Sequence, residues 1–124
     1  MPVHNFTSDL YAGCVSWSYN GKDYEKKFDE LKDAAYYENE NIILVLNGKN
    51  KLKRKLFGIL PDSTVQFELE PPEGYCFYYL SSSGEDDNAE MAVACLDTTS
   101  ARGFDIFFTI ERRTHILIEQ GRKH

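Results

Sequence analysis

The sequence predicts an α+β protein in which a strongly bent, mainly antiparallel sheet of about seven or eight strands packs on one main helix. Short apolar segments, several of them alternating with polar residues, are separated by short connections, which favour antiparallel pairing. In addition, residues 23–38 carry apolar side chains at helical spacing, and no other long segment offers a helix to cover the sheet. A partly closed β-barrel is the alternative architecture.

The first predicted strand spans residues 15–19, where apolar residues alternate with serines, and the turn dipeptide Asn20-Gly21 follows it. The predicted helix then runs roughly from Asp23, its N-cap, to Glu38. Its apolar stripe recurs at i, i+4, i+7 and i+11 and consists of Tyr24, Phe28, Leu31 and Ala35. A β-hairpin across Asn20-Gly21 is the competing interpretation of the beginning of this segment.

The rest of the chain is predicted to form strands. Residues 42–46 are a continuous apolar run, typical of a central strand, and Asn47-Gly48 after it is a strong hairpin signal. We expect the apolar residues of a later alternating segment to face the core, namely Phe104, Ile106, Phe108 and Ile110. The other predicted strands lie at residues 49–55, 65–69, 75–80, 91–96 and 116–118.

Size, charge and cysteines restrict the class of protein. A chain of 124 residues predicts one domain with a real core, and a net charge of −6 disfavours nucleic acid as a partner. Three cysteines at wide spacing predict free thiols in a reducing compartment. Neither a secretory signal nor an apolar run long enough to span a membrane is recognisable, so the expected location is cytoplasmic, without membrane insertion.

Four lysines at alternate positions form the only concentrated patch of one charge in this acidic chain. In a strand they all fall on one face, because side chains alternate with period two. This lysine face predicts a docking surface. Its competing interpretation is a sheet edge whose lysines prevent pairing with other sheets. The four residues are Lys49, Lys51, Lys53 and Lys55.

The predicted helix carries the second candidate surface. Acidic residues outnumber basic ones along it, and two neighbouring tyrosines lie close to its end. An aromatic and acidic patch of this kind suits a basic protein partner, and the competing interpretation is an ordinary solvent-exposed helix face. The predicted contact residues are Asp29, Glu30, Asp33, Tyr36 and Tyr37.

No motif for catalysis, metal binding or cofactor binding is recognisable. The chain lacks a phosphate-binding glycine loop, a nucleophile elbow and the close Cys or His spacing of a zinc site. The acidic residues between Glu85 and Glu90 read as an exposed loop rather than a cation site. His115 is the one histidine placed to activate a cysteine, and no motif supports such a pair. We therefore expect no enzymatic activity, no cofactor and no metal.

These observations lead to a hypothesis of function. The chain is expected to be a small non-enzymatic cytoplasmic module that binds another protein, for example an inhibitor or immunity-type protein. The alternative is a carrier of a small molecule or lipid, or a hydrolase without a recognisable motif, with a cavity between sheet and helix. The sequence does not determine the oligomeric state.

Overall fold

The computed structural model describes residues 3–80, 91–98, 105–111 and 113–122, and these residues form an all-β structure. Their elements are, in chain order, β1 His4–Asp9, β2 Cys14–Tyr19, β3 Lys22–Lys27, β4 Leu31–Tyr37, β5 Ile42–Asn47, a single-turn 3-10 helix Lys51–Lys53, β6 Lys55–Ile59, β7 Val65–Leu69, β8 Tyr75–Leu80, β9 Ala92–Asp97, β10 Asp105–Ile110 and β11 Leu117–Arg122.

The strands form three antiparallel sheets, and in each sheet the strands follow one another in chain order. The first sheet contains β1–β3, the second β4–β7 and the third β8–β11. One apolar cluster joins the first sheet to the second, and another joins the second sheet to the third. The second sheet is therefore the middle layer of a stack, with side chains packed on both of its faces.

Strand β5 shows why one apolar run has no polar alternation. Ile43 and Val45 pack toward the first sheet, whereas Leu44 and Leu46 pack toward the third. All four side chains are fully buried. Because both faces of this strand are covered, every position favours an apolar residue, and the prediction of a central strand is confirmed.

The predicted helix at residues 23–38 is wrong, and so is the α+β class. This segment forms β3, a turn and β4, and no α-helix occurs in the part of the chain that the structure describes. The competing hairpin is the one observed. Asn20 and Gly21 have φ angles of 56° and 76°, as a two-residue hairpin turn requires, and they align Trp17 with Tyr24. The two rings stack with centroids 5.6 Å apart.

The helical stripe failed as a signal because three of its four residues reach one core from β3, from the turn after it and from β4. Tyr24 and Phe28 pack on the core between the first two sheets, and Leu31 is buried in it from the beginning of β4. Ala35 instead packs toward the third sheet. The described strands belong to three separate sheets, so the partly closed barrel is also wrong.

The strand predicted at residues 49–55, with four lysines on one face, is also wrong. Strands β5 and β6 do form an antiparallel hairpin that places Leu46 opposite Leu56. However, residues 48–54 make a loop that contains the 3-10 helix, so the lysines do not share one strand face. Leu52 is 65% exposed in this loop, whereas Arg54 is only 6% exposed. The lysines alternate with other residues in the sequence, but this alternation does not correspond to the two faces of a strand in the structure.

The Arg54 side chain links the two ends of this loop and also binds the edge strand of the third sheet. Its Nε donates to Gly48 O at 3.0 Å, and its Nη1 donates to Phe77 O at 3.2 Å. On the same strand β8, Leu80 N donates to the Asp33 carboxylate at 2.8 Å. Side chains from the middle sheet thus satisfy backbone groups of β8, which is an edge strand of the third sheet.

The other strand predictions are confirmed with boundary shifts of one or a few residues. Of the expected core positions in β10, Phe108 and Ile110 are buried and Ile106 packs against the same core, whereas Phe104 lies outside the described residues. All three cysteines are free thiols. Within the described ranges, no helix has the length and apolar character needed to cross a membrane.

Candidate functional site

Four loops adjoin at one end of the stack, and we call this the Tyr11 end: residues 10–13, 28–30, 48–54 and 70–74. Backbone hydrogen bonds join the first three. Phe28 N donates to Gly13 O at 2.8 Å, and Gly48 N donates to Glu30 O at 2.9 Å. The third and fourth loops together line a surface cavity of about 430 Å³.

The turn between β1 and β2 presents two apolar side chains to solvent. Leu10 is 51% exposed, and Tyr11 is completely exposed. The turn itself is well held. Asp9 Oδ1 accepts hydrogen bonds from Tyr11 N at 3.0 Å and from Ala12 N at 2.9 Å, and Gly13 N donates to Asp9 O at 2.8 Å. The exposed tyrosine therefore extends from a turn with a defined backbone.

Gly13 makes the junction between the first two loops possible. Its φ of +73° lies in the left-handed region, and a Cβ built there would lie 2.6 Å from Phe28 O. Any side chain at this position would push the two loops apart. The close approach places Tyr11 next to the loop that carries Asp29 and Glu30.

Charges of both signs meet at the Tyr11 end. Asp29 and Glu30 are exposed in the second loop, and Lys49 and Lys53 are exposed in the third. These two loops are in direct contact, since Gly48 N donates to Glu30 O at 2.9 Å. The positive and negative patches predicted from the sequence therefore lie side by side rather than on separate surfaces.

Lys51 and Lys55 complete the predicted lysine set. The backbone of Lys51 begins the 3-10 helix of the third loop. Lys55 begins β6, and its Nζ lies 2.9 Å from a carboxylate oxygen of Glu68 on the neighbouring strand. This hydrogen-bonded ion pair raises the pKa of Lys55. Of the four lysines, Lys55 thus makes a cross-strand pair rather than a free cationic contact.

The remaining predicted contact residues make hydrogen bonds within the fold or are buried in it. Asp33 binds the edge of β8, as described above. Tyr36 accepts a hydrogen bond from Val3 N at 3.1 Å and donates one to Asn41 Oδ1 at 2.7 Å. Tyr37 is 1% exposed in the opposite core, where burial raises its pKa. The two tyrosines face different layers and do not form an aromatic surface patch.

Sequence reasoning missed the three exposed apolar residues of the Tyr11 end: Leu10, Tyr11 and Leu52. The first two carried a usable signal, because Asp9 and Gly13 bracket them as turn residues, and apolar side chains inside a turn have no strand face to bury them. Leu52 carried no such signal, since it matched the alternation of a strand.

A second cavity lies at the opposite end, which we call the His115 end: residues 38–41, 60–64, 111 and 113–116. Residues from all three turns, or directly beside them, line a pocket of about 260 Å³. His115 is at its edge, with its ring stacked on Phe67 at 4.4 Å. Cys14 is the first residue of β2 and Cys76 the second residue of β8, both close to the Tyr11 end, so neither is placed near this histidine.

Cys95 is the third thiol, and its surroundings oppose reactivity. It is fully buried in the core between the second and third sheets. Burial raises the pKa of Cys95 to about 12, so its thiol stays protonated at neutral pH.

No family model, curated protein or solved structure matches the chain. The function is therefore argued from its own geometry.

Proposed function

We propose that this protein is a non-enzymatic module that binds another protein, and that the Tyr11 end is its contact surface. The observation that carries the proposal is the completely exposed Tyr11 on a hydrogen-bonded turn, next to the half-exposed Leu10. Nothing in the fold requires apolar residues at these positions, because a polar turn would satisfy the same backbone hydrogen bonds.

A tyrosine held in this way suits protein recognition. Tyrosine, tryptophan and arginine dominate the energetically important positions of protein interfaces. A tyrosine has few rotatable bonds, and a turn already fixed by Asp9 loses little further entropy on binding. Leu52, 65% exposed in the third loop, offers a second apolar contact at the same end.

The charged residues contribute specificity more than long-range attraction. Asp29 and Glu30 lie beside a loop that carries Lys49 and Lys53, so their fields largely cancel beyond the Debye length of about 8 Å. At short range, alternating charges select a partner with the complementary arrangement. An inhibitor or immunity-type protein, which must recognise one target, is the form of the proposal that fits this surface best.

The proposed location is the cytoplasm. Three free thiols, two of them buried, suit a reducing compartment. The alternative was a carrier with a cavity between sheet and helix. It has no structural support, because the described residues contain no such helix. The spaces between the sheets are instead occupied by two buried apolar clusters.

The test compares two double variants in affinity capture from the native lysate, followed by binding measurements with the purified partner. Leu10→Ser/Tyr11→Ser removes the apolar pair of the Tyr11 end. Ile116→Ser/Ile118→Ser is the matched control, because these two residues are also exposed, by 59% and 45%, but lie elsewhere. We expect the first variant to weaken binding by about 30-fold or more, as for a central interface tyrosine.

The control should stay within about threefold of the wild type, as expected of residues outside the interface. Equal binding by the wild type and the Leu10/Tyr11 variant would refute the proposal. Equal loss in both variants would also refute it, since that result indicates unspecific apolar adhesion. Circular dichroism of both variants verifies that they are folded.

A further inference from the structure

The chain contains two Asn-Gly pairs, Asn20-Gly21 and Asn47-Gly48, and each lies at the end of a strand. In such a pair the backbone nitrogen of the glycine can attack the side-chain amide of the asparagine, because glycine has no side chain to hinder the approach. The two pairs have the same chemistry but different surroundings. Their surroundings therefore decide which of them reacts.

The pair Asn20-Gly21 is open to solvent. Tyr19 pairs with Lys22, so Asn20 and Gly21 form the two-residue tip of the hairpin, and both are exposed. A Cβ at Gly21 would have nothing within 4 Å. Among the described residues, none is hydrogen-bonded to the Asn20 side chain, and Gly21 N takes part in no turn or loop hydrogen bond. Both reacting groups are thus accessible.

The pair Asn47-Gly48 is held by the neighbouring loop. Glu30 N donates a hydrogen bond to Asn47 Oδ1 at 2.9 Å, and Gly48 N donates one to Glu30 O at 2.9 Å. The amide that would be attacked and the nitrogen that would attack it are therefore both bound to one residue. A Cβ at Gly48 would lie 2.8 Å from Arg54 Cα, so the backbone has little room to rotate.

We infer that Asn20 is a site of spontaneous deamidation in the folded protein, whereas Glu30 protects Asn47. Gly21 N gives its proton to solvent and bonds to Asn20 Cγ. The bond between Cγ and Nδ2 then breaks, and Nδ2 takes up a proton from water and leaves as ammonia. Water opens the resulting cyclic imide at either carbonyl, which gives aspartate or isoaspartate. No atom changes its oxidation state, and water is the only co-reactant.

The modification would change both the charge and the backbone of the hairpin. It adds one negative charge beside Asp23 in a chain whose net charge is already −6. Isoaspartate also adds one backbone atom to a two-residue turn that aligns Trp17 with Tyr24. This inference goes beyond the proposed protein-binding function and concerns a turn away from the Tyr11 end.

The test measures deamidation of the full chain at mildly alkaline pH, in native buffer and in concentrated urea. Each event raises the mass of a peptide by about 1 Da, and fragmentation assigns it to one asparagine. In native buffer Asn20 should react at least about tenfold faster than Asn47, a ratio that corresponds to about 1.4 kcal/mol of additional opening cost at Asn47. In urea the two rates should agree within about threefold, because both segments are unfolded.

Two variants with the same type of substitution identify the attacking nitrogen. Gly21→Ala should slow the reaction at Asn20 by about tenfold or more, because a methyl group next to the nitrogen hinders its approach. Gly74→Ala is the matched control, since Gly74 also has a positive φ and an open Cβ position, and it should leave both rates unchanged. The same comparison in urea keeps the test valid even if a variant fails to fold.

Three results would overturn the inference. The first is a native rate at Asn20 that does not exceed the rate at Asn47. The second is an Asn20 that stays unmodified in the folded protein for as long as complete conversion takes in urea. The third is an unchanged rate at Asn20 in Gly21→Ala. Retention of the protein partner by the Leu10/Tyr11 variant would overturn the proposed function alone, because deamidation is measured without a partner.

Discussion

Left-handed backbone angles occur at both ends of the molecule, but largely in different types of residue. At the Tyr11 end, the described residues with left-handed backbone angles are Gly13, Gly48 and Gly74. In the three turns of the His115 end they are Asn41, Ser63 and His115, and the turn between β2 and β3 adds Asn20 and Gly21 on the same side of the molecule. Glycine adopts these angles without strain, whereas a residue with a side chain does so at a cost of roughly 1 kcal/mol.

Close approach explains two of these three glycines, because the Cβ position of Gly74 has nothing within 4 Å. A Cβ at Gly13 would meet Phe28 O at 2.6 Å, and one at Gly48 would meet Arg54 Cα at 2.8 Å. The loops of the Tyr11 end therefore pack backbone to backbone and direct Tyr11 and Leu52 outward. At the His115 end, His115 remains in a strained position and lines a pocket. The Tyr11 end thus presents exposed apolar side chains, whereas the His115 end presents a pocket at the edge of a strained turn.

The largest effect is expected at Arg54, on which the Tyr11 end depends. Arg54→Met keeps the apolar length of the side chain but leaves the carbonyl groups of Gly48 and Phe77 without their donor. We expect a loss of about 2–3 kcal/mol in the free energy of unfolding, because buried acceptors lose their partner. Lys53→Met, at the exposed neighbouring position, should change it by less than about 0.5 kcal/mol. Urea denaturation measures both.

The second prediction separates close approach from backbone strain. Gly13→Ala should lower stability by about 2 kcal/mol or more, since it adds a steric clash with Phe28 O to the left-handed strain. Gly21→Ala is the control, because Gly21 has nearly the same φ of +76° but nothing within 4 Å of its Cβ position. It should cost only about 1 kcal/mol. Equal losses in denaturant titrations would show that contact between the loops is unimportant.

The third prediction asks whether strain is stored at the His115 end. Ser63 has a φ of 77°, so Ser63→Gly should relieve strain and stabilise the protein by up to about 0.5 kcal/mol, once the greater freedom of glycine in the unfolded chain is subtracted. The thermal midpoint should rise slightly. A clear fall in the midpoint would mean that the serine side chain stabilises its turn more than its backbone strains it.

The smallest effect concerns pH. Hydrogen bonds from Thr114 and Arg113 lower the pKa of Glu111, and those from Thr64 lower the pKa of Asp62. A carboxylate with a lowered pKa stabilises the fold at neutral pH, and this contribution is lost as the pH falls through the folded value. Below about pH 4, the protection factors of the Thr114 and Thr64 amides, which compare the measured exchange rate with the intrinsic rate at the same pH, should therefore fall. Glu111→Gln should remove this pH dependence at Thr114 and leave it at Thr64.

Much of the fold was predictable because it depends on local patterns. The run at residues 42–46 and the alternation at residues 65–69 and 104–110 identify strands through the period of their side chains. Asn20-Gly21 indicated a turn for the same local reason, although the hairpin across it was only the competing interpretation. The candidate site was harder to predict, because Leu10 and Tyr11 carry only the weak signal of their flanking turn residues, and Leu52 is recognised by its exposure alone.

By itself, the sequence determined that this chain forms short antiparallel strands with free thiols, because strand period, turn residues and cysteine spacing are properties of neighbouring residues. Only the tertiary structure decided that residues 23–38 are two strands, because spacing that matches a helix also matches two strands that face one core. It also decided the position of the lysines. The buried contacts of Arg54 with Gly48 and Phe77 bend the loop into a 3-10 turn, and partners so distant in sequence leave no local pattern.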